Sequence, residues 1–169
     1  MGALKTPGRC WYDNDSASNH ATFGILYNWY AVNTGKLAPA GWHVPDTAEW
    51  NTLENYLIAN GCNFDGTTTG NKIAKSMAAQ TDWYTGTTTV GAIGNYLSKN
   101  NSSGFSALPG GCRNYDGDFL YLSSYCAWWS ATETDASWAC YRDLPYYLEY
   151  LFRSNTEKRR GFSVRLLRD

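Results

Sequence analysis

The chain has 169 residues, which is enough for one domain with a hydrophobic core and too few for two domains of ordinary size. Its formal net charge is -1, so nucleic-acid binding driven by phosphate contacts is not expected. Only 17% of the residues are charged while 16% are aromatic, a composition that excludes a disordered chain. No apolar run approaches the ~18 residues of a membrane helix, so no membrane insertion is expected, and no signal peptide is visible.

Five cysteines occur without a C-x-x-C pair, and an odd number leaves at least one thiol unpaired within the monomer. We expect most of them to be buried free thiols, although one or two disulfides stay open for an exported protein. Neither His20 nor His43 stands at a zinc-like spacing from a cysteine pair, so we expect no metal site and no cofactor.

The first half of the chain carries helical patterns. Apolar residues recur at i, i+3, i+4 and i+7 in FGILYNWYAVN, which predicts a helix over 24–33. Asp46 and Glu49 have the spacing of a capping box and predict a second helix over 47–59. A third helix is predicted over 70–80, where small and apolar residues share one side.

After residue 105, short apolar runs alternate with turn signals. The Asp-Gly pair in NYDGD predicts a hairpin between CR and FLYL. Further strands are predicted in AWWSA, ACYRDL, YLEYLFR and GFSVRLL. Helices followed by antiparallel strands favour the α+β class. Because no repeat or linker interrupts the pattern, we expect one domain over 1–169.

Four separated segments carry a family resemblance: YNWYAVNTGKLAPAGWHVPDTAEW, GFSALPGGCR, AWWSATE and GFSVRLLRD. They resemble the bacterial major paralogous domain first named from Fibrobacter, in the formylglycine-generating-enzyme-like branch of the C-type lectin fold. The resemblance covers about residues 10–169 and implies two main helices flanking a small, twisted antiparallel sheet. Many members of this branch are variable proteins of diversity-generating retroelements, which mutate a C-terminal stretch to change what the protein binds.

The segment over 137–156 is the richest in aromatic residues. A strand buried on one face alternates apolar and polar residues, whereas PYYLEYLF places bulky groups on both faces. Core packing is one interpretation, and an exposed aromatic patch typical of a binding site is the other. Because Pro145 cannot donate to a strand ladder, we expect this segment to lie at a sheet edge or in a loop.

The resemblance favours the exposed patch, since related sequences typically carry many asparagines here. Retroelement mutagenesis acts on template adenines, so an Asn codon can be converted to Tyr, Asp, Pro, Leu, Phe, Cys or Thr. Arg142, Leu144 and Arg153 resemble a fixed frame, and Glu149 does not fit an Asn template. The predicted ligand-binding residues are those in the reachable set: Tyr141, Asp143, Pro145, Tyr147, Leu148, Tyr150 and Phe152, with Cys140 and Thr156 as further candidates.

Other candidate groups are expected to be structural. We expect Trp128 and Trp129 to lie in the core, with a sugar-stacking platform as the alternative. His43 is expected to be a hydrogen-bonded packing residue. The arginines at 142, 153 and 165 are expected to stack and pair rather than bind anions, as arginines between aromatic residues commonly do.

Enzymatic activity is not expected. The formylglycine-generating branch oxidises a target cysteine with a pair of reactive cysteines a few residues apart. No second cysteine follows Cys140, and Cys126 lies fourteen positions earlier. Two histidines also offer few general bases. The Glu-Pro-Asn and Trp-Asn-Asp motifs of calcium-dependent lectins are absent from the sequence.

The sequence is therefore interpreted as a non-enzymatic ligand-binding module, the variable protein of a diversity-generating retroelement. Its partner is expected to be a protein or glycan, and the protein is expected to be located on a cell or virion surface. Two alternatives stay open: an ordinary sugar-binding or adhesion domain of a bacterial surface protein, and a degenerate enzyme of the formylglycine-generating branch.

Overall fold

The computed structural model describes residues 5–169. The helices of this part are short, and none of them is long and apolar enough to cross a membrane. Single 3₁₀ turns lie at Tyr12–Asn14 and Leu97–Lys99. The α-helices are α1 at Ser16–Phe23, α2 at Trp29–Val32, α3 at Thr47–Ala59 and α4 at Ala74–Met77.

The strands form small antiparallel sheets, and six of the strands lie after residue 105. Their bounds are β1 Arg9–Cys10, β2 Leu26–Tyr27, β3 Trp42–His43, β4 Cys112–Arg113, β5 Phe119–Leu120, β6 Tyr125–Glu133, β7 Trp138–Pro145, β8 Phe152–Glu157 and β9 Leu167–Arg168. Three sheets are two-stranded, β1-β2, β3-β9 and β4-β5, and one has the order β6-β7-β8. The predicted mixture of helices and small antiparallel sheets is therefore confirmed.

The three-stranded sheet is covered on both faces. On one face Trp128 of β6 packs against Trp50 of α3, with ring centroids 5.9 Å apart. On the other face Trp129 packs against Phe162 at 4.7 Å. A strand with a core cluster on each side must be apolar at successive positions, which explains the run CAWW. The expectation that Trp128 and Trp129 belong to the core is confirmed.

The predicted helix over 47–59 is confirmed at both ends. The Asp46 carboxylate accepts from the Glu49 amide at 2.8 Å, and the Glu49 carboxylate accepts from the Asp46 amide at 2.9 Å. These two bonds satisfy amides that the first helical turn leaves without partners. Gly61 follows the helix with a φ of +73°, a conformation that glycine adopts without strain.

The prediction of one helix over 24–33 is wrong. Gly24 ends α1 with a φ of +75°, and residues 26 and 27 then pair with β1. Asn28 starts α2 by accepting from the Ala31 amide, while the same side chain binds the backbone of Thr6 and Gly8. Contacts to the distant N-terminal segment thus divide a stretch whose apolar spacing alone predicts continuity.

Two other predicted elements are shorter than expected, and one is confirmed. The third helix, predicted over 70–80, contains only α4, all of whose residues are buried. The predicted strand GFSVRLL contains only isolated bridges at 161–163 followed by β9. The hairpin is confirmed, because β4 pairs with β5 and Gly117 takes the positive φ of +107° in its turn.

All five cysteines are unpaired in the structure, as expected. Cys10, Cys112 and Cys126 are buried, and Cys62 and Cys140 are partly exposed. Burial raises the pKa of the Cys112 thiol to about 11 and also raises that of Cys126. These buried thiols stay protonated and pack as small apolar groups.

Candidate functional site

The loop between β7 and β8, residues 146–151, is the central feature of the predicted binding segment. The predicted strand over 147–153 is wrong for most of its length, since β8 begins only at Phe152. The chain turns directly after β7, where the Leu148 amide donates to the Pro145 carbonyl at 3.2 Å. We call residues 146–151 the β7–β8 loop.

Main-chain hydrogen bonds fix this loop to distant segments. The Tyr146 amide donates to the Ser124 carbonyl at 2.9 Å, and the Tyr146 carbonyl accepts from Gly94 at 2.8 Å. The Glu149 carbonyl accepts from the amide of Ala74, the first residue of α4, at 3.1 Å. Because backbone atoms make these bonds, the path of the loop depends little on the side chains it carries.

Asn71 holds the end of the loop with its side chain. Its amide nitrogen donates to the Leu151 carbonyl at 2.9 Å, and its oxygen accepts from the Leu151 amide at 3.0 Å. The same nitrogen donates to the carboxylate of Glu54 on α3 at 3.0 Å. The Leu151 side chain is buried in the core cluster that covers α3 and α4.

Three predicted binding residues expose aromatic rings. Tyr147 is 53% exposed, Phe152 38% and Tyr150 36%. The rings of Tyr150 and Phe152 lie 6.3 Å apart, and Tyr147 meets Tyr146 edge-on at 5.4 Å. Large apolar groups left accessible on a well-fixed backbone are typical of an interaction surface.

Tyr84 extends this surface and is missing from the predicted residues. Its ring meets Tyr146 edge-on at 5.1 Å, and its side chain is 57% exposed. The residue lies in the DWYTG loop, 62 positions before Tyr146. Only the tertiary fold brings the two segments together, and nothing in the local pattern marks Tyr84. We call Tyr84 with Tyr146, Tyr147, Tyr150 and Phe152 the aromatic surface.

Three predicted binding residues are buried, which corrects the expectation that they lie on an exposed face. Asp143 and Thr156 are 5% and 7% exposed, and Pro145 is also buried. Asp143 lies on the central strand, between Ala127 of β6 and Phe152 of β8. Pro145 ends that central strand rather than an edge strand, and it has a ladder partner only on the β6 side.

The remaining predicted residues are partly exposed: Cys140, Tyr141 and Leu148. The Tyr141 ring packs on Phe162 at 5.1 Å, so it contributes to the second core cluster as well as to the surface. That these residues contact a ligand stays a prediction.

Asp143 sits in an unfavourable environment for a carboxylate. Burial raises its pKa to about 6, and only the Tyr125 hydroxyl opposes this shift by hydrogen bonding. One carboxylate oxygen of Asp143 has no hydrogen-bond partner. Burial beside this carboxylate raises the pKa of the Tyr125 and Tyr141 hydroxyls. Asp143 is thus a buried residue whose charged form is electrostatically unfavourable.

The arginines of the predicted frame differ in their surroundings. Arg142 is 1% exposed and donates to the Asn51 side chain of α3 at 2.8 Å, and Arg165 lies over the Phe105 ring at 4.6 Å. Both are structural, as expected, whereas Arg153 is exposed on β8.

His43 joins two carboxylates rather than packing in the core. Its Nδ1 lies 2.5 Å from Asp169 and its Nε2 lies 2.8 Å from Glu49. The hydrogen bond with Asp169, and to a smaller extent the one with Glu49, raises the pKa of His43. The expected hydrogen bonding is confirmed, and the side chain remains partly exposed.

The charge of His43 predicts a pH-dependent stability. The pKa of His43 is higher in the folded state than in the unfolded state. Its contribution to the free energy of unfolding is therefore fully present below the pKa of the unfolded state and is lost as the pH rises through the pKa of the folded state. We expect His43→Gln to lower the melting temperature near pH 6 and to have little effect at about pH 9. Melting curves of both proteins across this range are the measurement, and a pH-independent difference contradicts the prediction.

Within residues 5–169, no three His, Cys, Asp or Glu side chains form a group that could hold a metal ion. The arrangement around the β7–β8 loop offers aromatic faces and hydroxyls for contact.

Comparison with known proteins identifies a family. A family model described as the Fibrobacter succinogenes major domain matches residues 3–168. Neither the search of curated proteins nor the search of solved structures finds a match.

Proposed function

The chain belongs to the Fibrobacter succinogenes major domain family, and from this premise we propose that it is a non-enzymatic ligand-binding module. The observation that supports the proposal is the β7–β8 loop. It carries exposed aromatic side chains, and its backbone is hydrogen-bonded to distant segments of the chain. Tyrosine suits recognition because it offers a large ring and a hydroxyl with few rotatable bonds.

We further propose that the domain has a C-type lectin fold of the formylglycine-generating-enzyme-like branch. The position of α1 to α4 before the sheet β6-β7-β8 supports this, as does the pairing of β3 with β9, which lies near the end of the chain. The proposed biological role is that of a variable protein of a diversity-generating retroelement, on a cell or virion surface, with a protein or glycan ligand. A reverse transcriptase gene and a near-repeat of the C-terminal coding segment, differing only at adenines, would support this role.

The aromatic surface is tested by removing its most exposed rings. We expect the triple variant Tyr147→Ala, Tyr150→Ala, Phe152→Ala to lose binding to ligands found for the unmodified protein on a glycan array and in a library of extracellular proteins. Each single change should alter the free energy of unfolding by no more than about 0.5–1 kcal/mol, since these side chains fill no core space.

The matched control is Tyr56→Ala, because Tyr56 is 63% exposed on α3 and lies outside the aromatic surface. It should leave both binding and stability unchanged. Retained binding by the triple variant would remove the aromatic surface from the proposal. Losses of several kcal/mol at these positions would instead show that the rings belong to the core.

The absence of catalysis is tested separately. Cys140 lacks a reactive partner nearby, and the other cysteines of the C-terminal half, Cys112 and Cys126, are buried thiols with raised pKa. We therefore expect no aldehyde when a cysteine-containing sulfatase-type peptide is incubated with the protein and copper, as followed by mass spectrometry. Turnover that disappears in Cys140→Ser would overturn the non-enzymatic assignment and favour the degenerate-enzyme alternative.

A further inference from the structure

A cavity of about 460 Å³ lies between the segment that follows α3 and the 3₁₀ turn at 97–99. This volume falls within the range of small-molecule pockets, about 300–1,000 Å³. None of its lining residues belongs to 137–156, so the cavity is separate from the β7–β8 loop. Its use is therefore independent of the function proposed above.

Two lysines give the cavity a positive charge. Lys75 of α4 and Lys99 of the 3₁₀ turn line it, and no aspartate or glutamate among residues 5–169 does. In that described part of the chain neither lysine forms an ion pair. Burial and the charge of Lys99 lower the pKa of the Lys75 ammonium to about 8. A nearby anion would compensate the cost of burying the Lys75 charge without a carboxylate partner.

Lys75 is held in place while one of its donors stays available. The residue is 7% exposed, and its ammonium donates to the carbonyls of Ala92 and Asn95. An ammonium has three N–H donors, so one remains for a ligand. Lys99 is exposed at the same cavity. The two side chains thus offer one buried and one exposed charged donor.

An aromatic ring completes the wall. Tyr96 lines the cavity and is 74% exposed, with a φ of +57° that is rare for a tyrosine. Non-glycine residues in this left-handed region cluster at functional sites. On the same lining, Gly91 has a φ of +89°, and a Cβ there would overlap the Phe64 ring. The backbone of this wall is therefore closely determined.

We propose that this cavity binds a small organic acid that carries a ring, as a sugar acid does, with its carboxylate between Lys75 and Lys99 and its ring against Tyr96. Hydrogen bonds between a carboxylate and an ammonium are stronger than neutral ones. A tyrosine face supplies the apolar contact for a ring. The charge of the cavity selects for the acid over the neutral sugar.

The experiment titrates the full chain with glucuronate, glucose and inorganic phosphate by isothermal calorimetry. We expect glucuronate to bind and glucose not to bind. Lys99→Gln should weaken glucuronate binding about tenfold or more, the loss of one charge-assisted contact. The matched control Lys36→Gln removes an exposed lysine outside the cavity and should change nothing. Asparagine tolerates the left-handed backbone conformation, so Tyr96→Asn should weaken the binding of glucuronate and leave the binding of phosphate unchanged.

Absence of glucuronate binding at millimolar concentration overturns the proposal, as does equal binding by Lys99→Gln and the unmodified protein. Phosphate binding as tight as glucuronate binding, together with glucuronate binding that Tyr96→Asn leaves unchanged, would show a bare anion site and overturn the proposal too.

Lys75 is buried and its substitution could prevent folding, so it is observed rather than replaced. Cys62, Tyr96 and Lys99 are the other titratable groups lining the cavity. NMR of the Lys75 side chain should show its titration midpoint rising when glucuronate is bound, in the unmodified protein and in Tyr96→Asn at saturation. An unchanged midpoint in the bound state contradicts the assigned position of the carboxylate.

Discussion

Replacing Trp129 with alanine is expected to lower the free energy of unfolding by about 3–5 kcal/mol. The side chain is fully buried on β6 and packs on Phe162 with ring centroids 4.7 Å apart. Its indole N–H donates to the Tyr27 carbonyl at 2.8 Å, which the variant leaves without this donor. The Tyr27 carbonyl keeps the Phe162 amide as its other donor, so the loss comes mainly from the large cavity, and urea denaturation measures it.

The matched control is Trp138→Ala, the same change at a tryptophan of the neighbouring strand that is 40% exposed. We expect it to cost about 1 kcal/mol or less, because water already reaches much of the ring. Similar losses for the two variants would contradict the assignment of Trp129 to the core.

Replacing Asp143 with asparagine is expected to raise the free energy of unfolding at neutral pH by about 1–3 kcal/mol. The carboxylate is 5% exposed and one of its oxygens has no hydrogen-bond partner, so the charged form is costly to bury. Asparagine has nearly the same shape and can still accept from Tyr125, yet it carries no charge. The gain is measured by urea denaturation at about pH 7.5.

The pH dependence of this gain has a definite sign. Because burial raises the Asp143 pKa from 3.8 to about 6, the folded state binds the proton more tightly than the unfolded state does. The destabilisation by the Asp143 carboxylate is absent below the pKa of the unfolded state, grows as the pH rises from 3.8 to about 6, and is complete above that range. The benefit of Asp143→Asn should therefore vanish near pH 3.5, whereas the exposed control Asp116→Asn should show none at any pH. A stabilisation equal at both pH values, or a loss near pH 7.5, contradicts the prediction.

Elements defined by local chemistry could be predicted from the sequence. The capping box of Asp46 and Glu49 lies within one helical turn, and the hairpin turn at Gly117 needs only its own glycine. The division of the segment over 24–33 depends instead on bonds from Asn28 to the backbone near residue 8. Apolar spacing contains no information about such a distant partner.

The candidate site shows the same division. The aromatic content of 137–156 led to the exposed rings of Tyr147, Tyr150 and Phe152. An Asn codon can be converted to the buried Asp143 as readily as to the exposed Tyr147, since the adenines of a template carry no information about which neighbours cover a strand residue. Tyr84 joins the surface only through tertiary contact with Tyr146.

The main-chain anchoring of the β7–β8 loop has a consequence for binding thermodynamics and kinetics. Ordering a free residue costs about 1–2 kcal/mol of backbone entropy, and a loop already held at Tyr146, Glu149 and Leu151 avoids most of that cost on association. A ligand meets a preorganised segment, so encounter does not wait for folding. Affinities of chains that differ only in their loop side chains should then diverge mainly in dissociation rate, with association rates nearly constant.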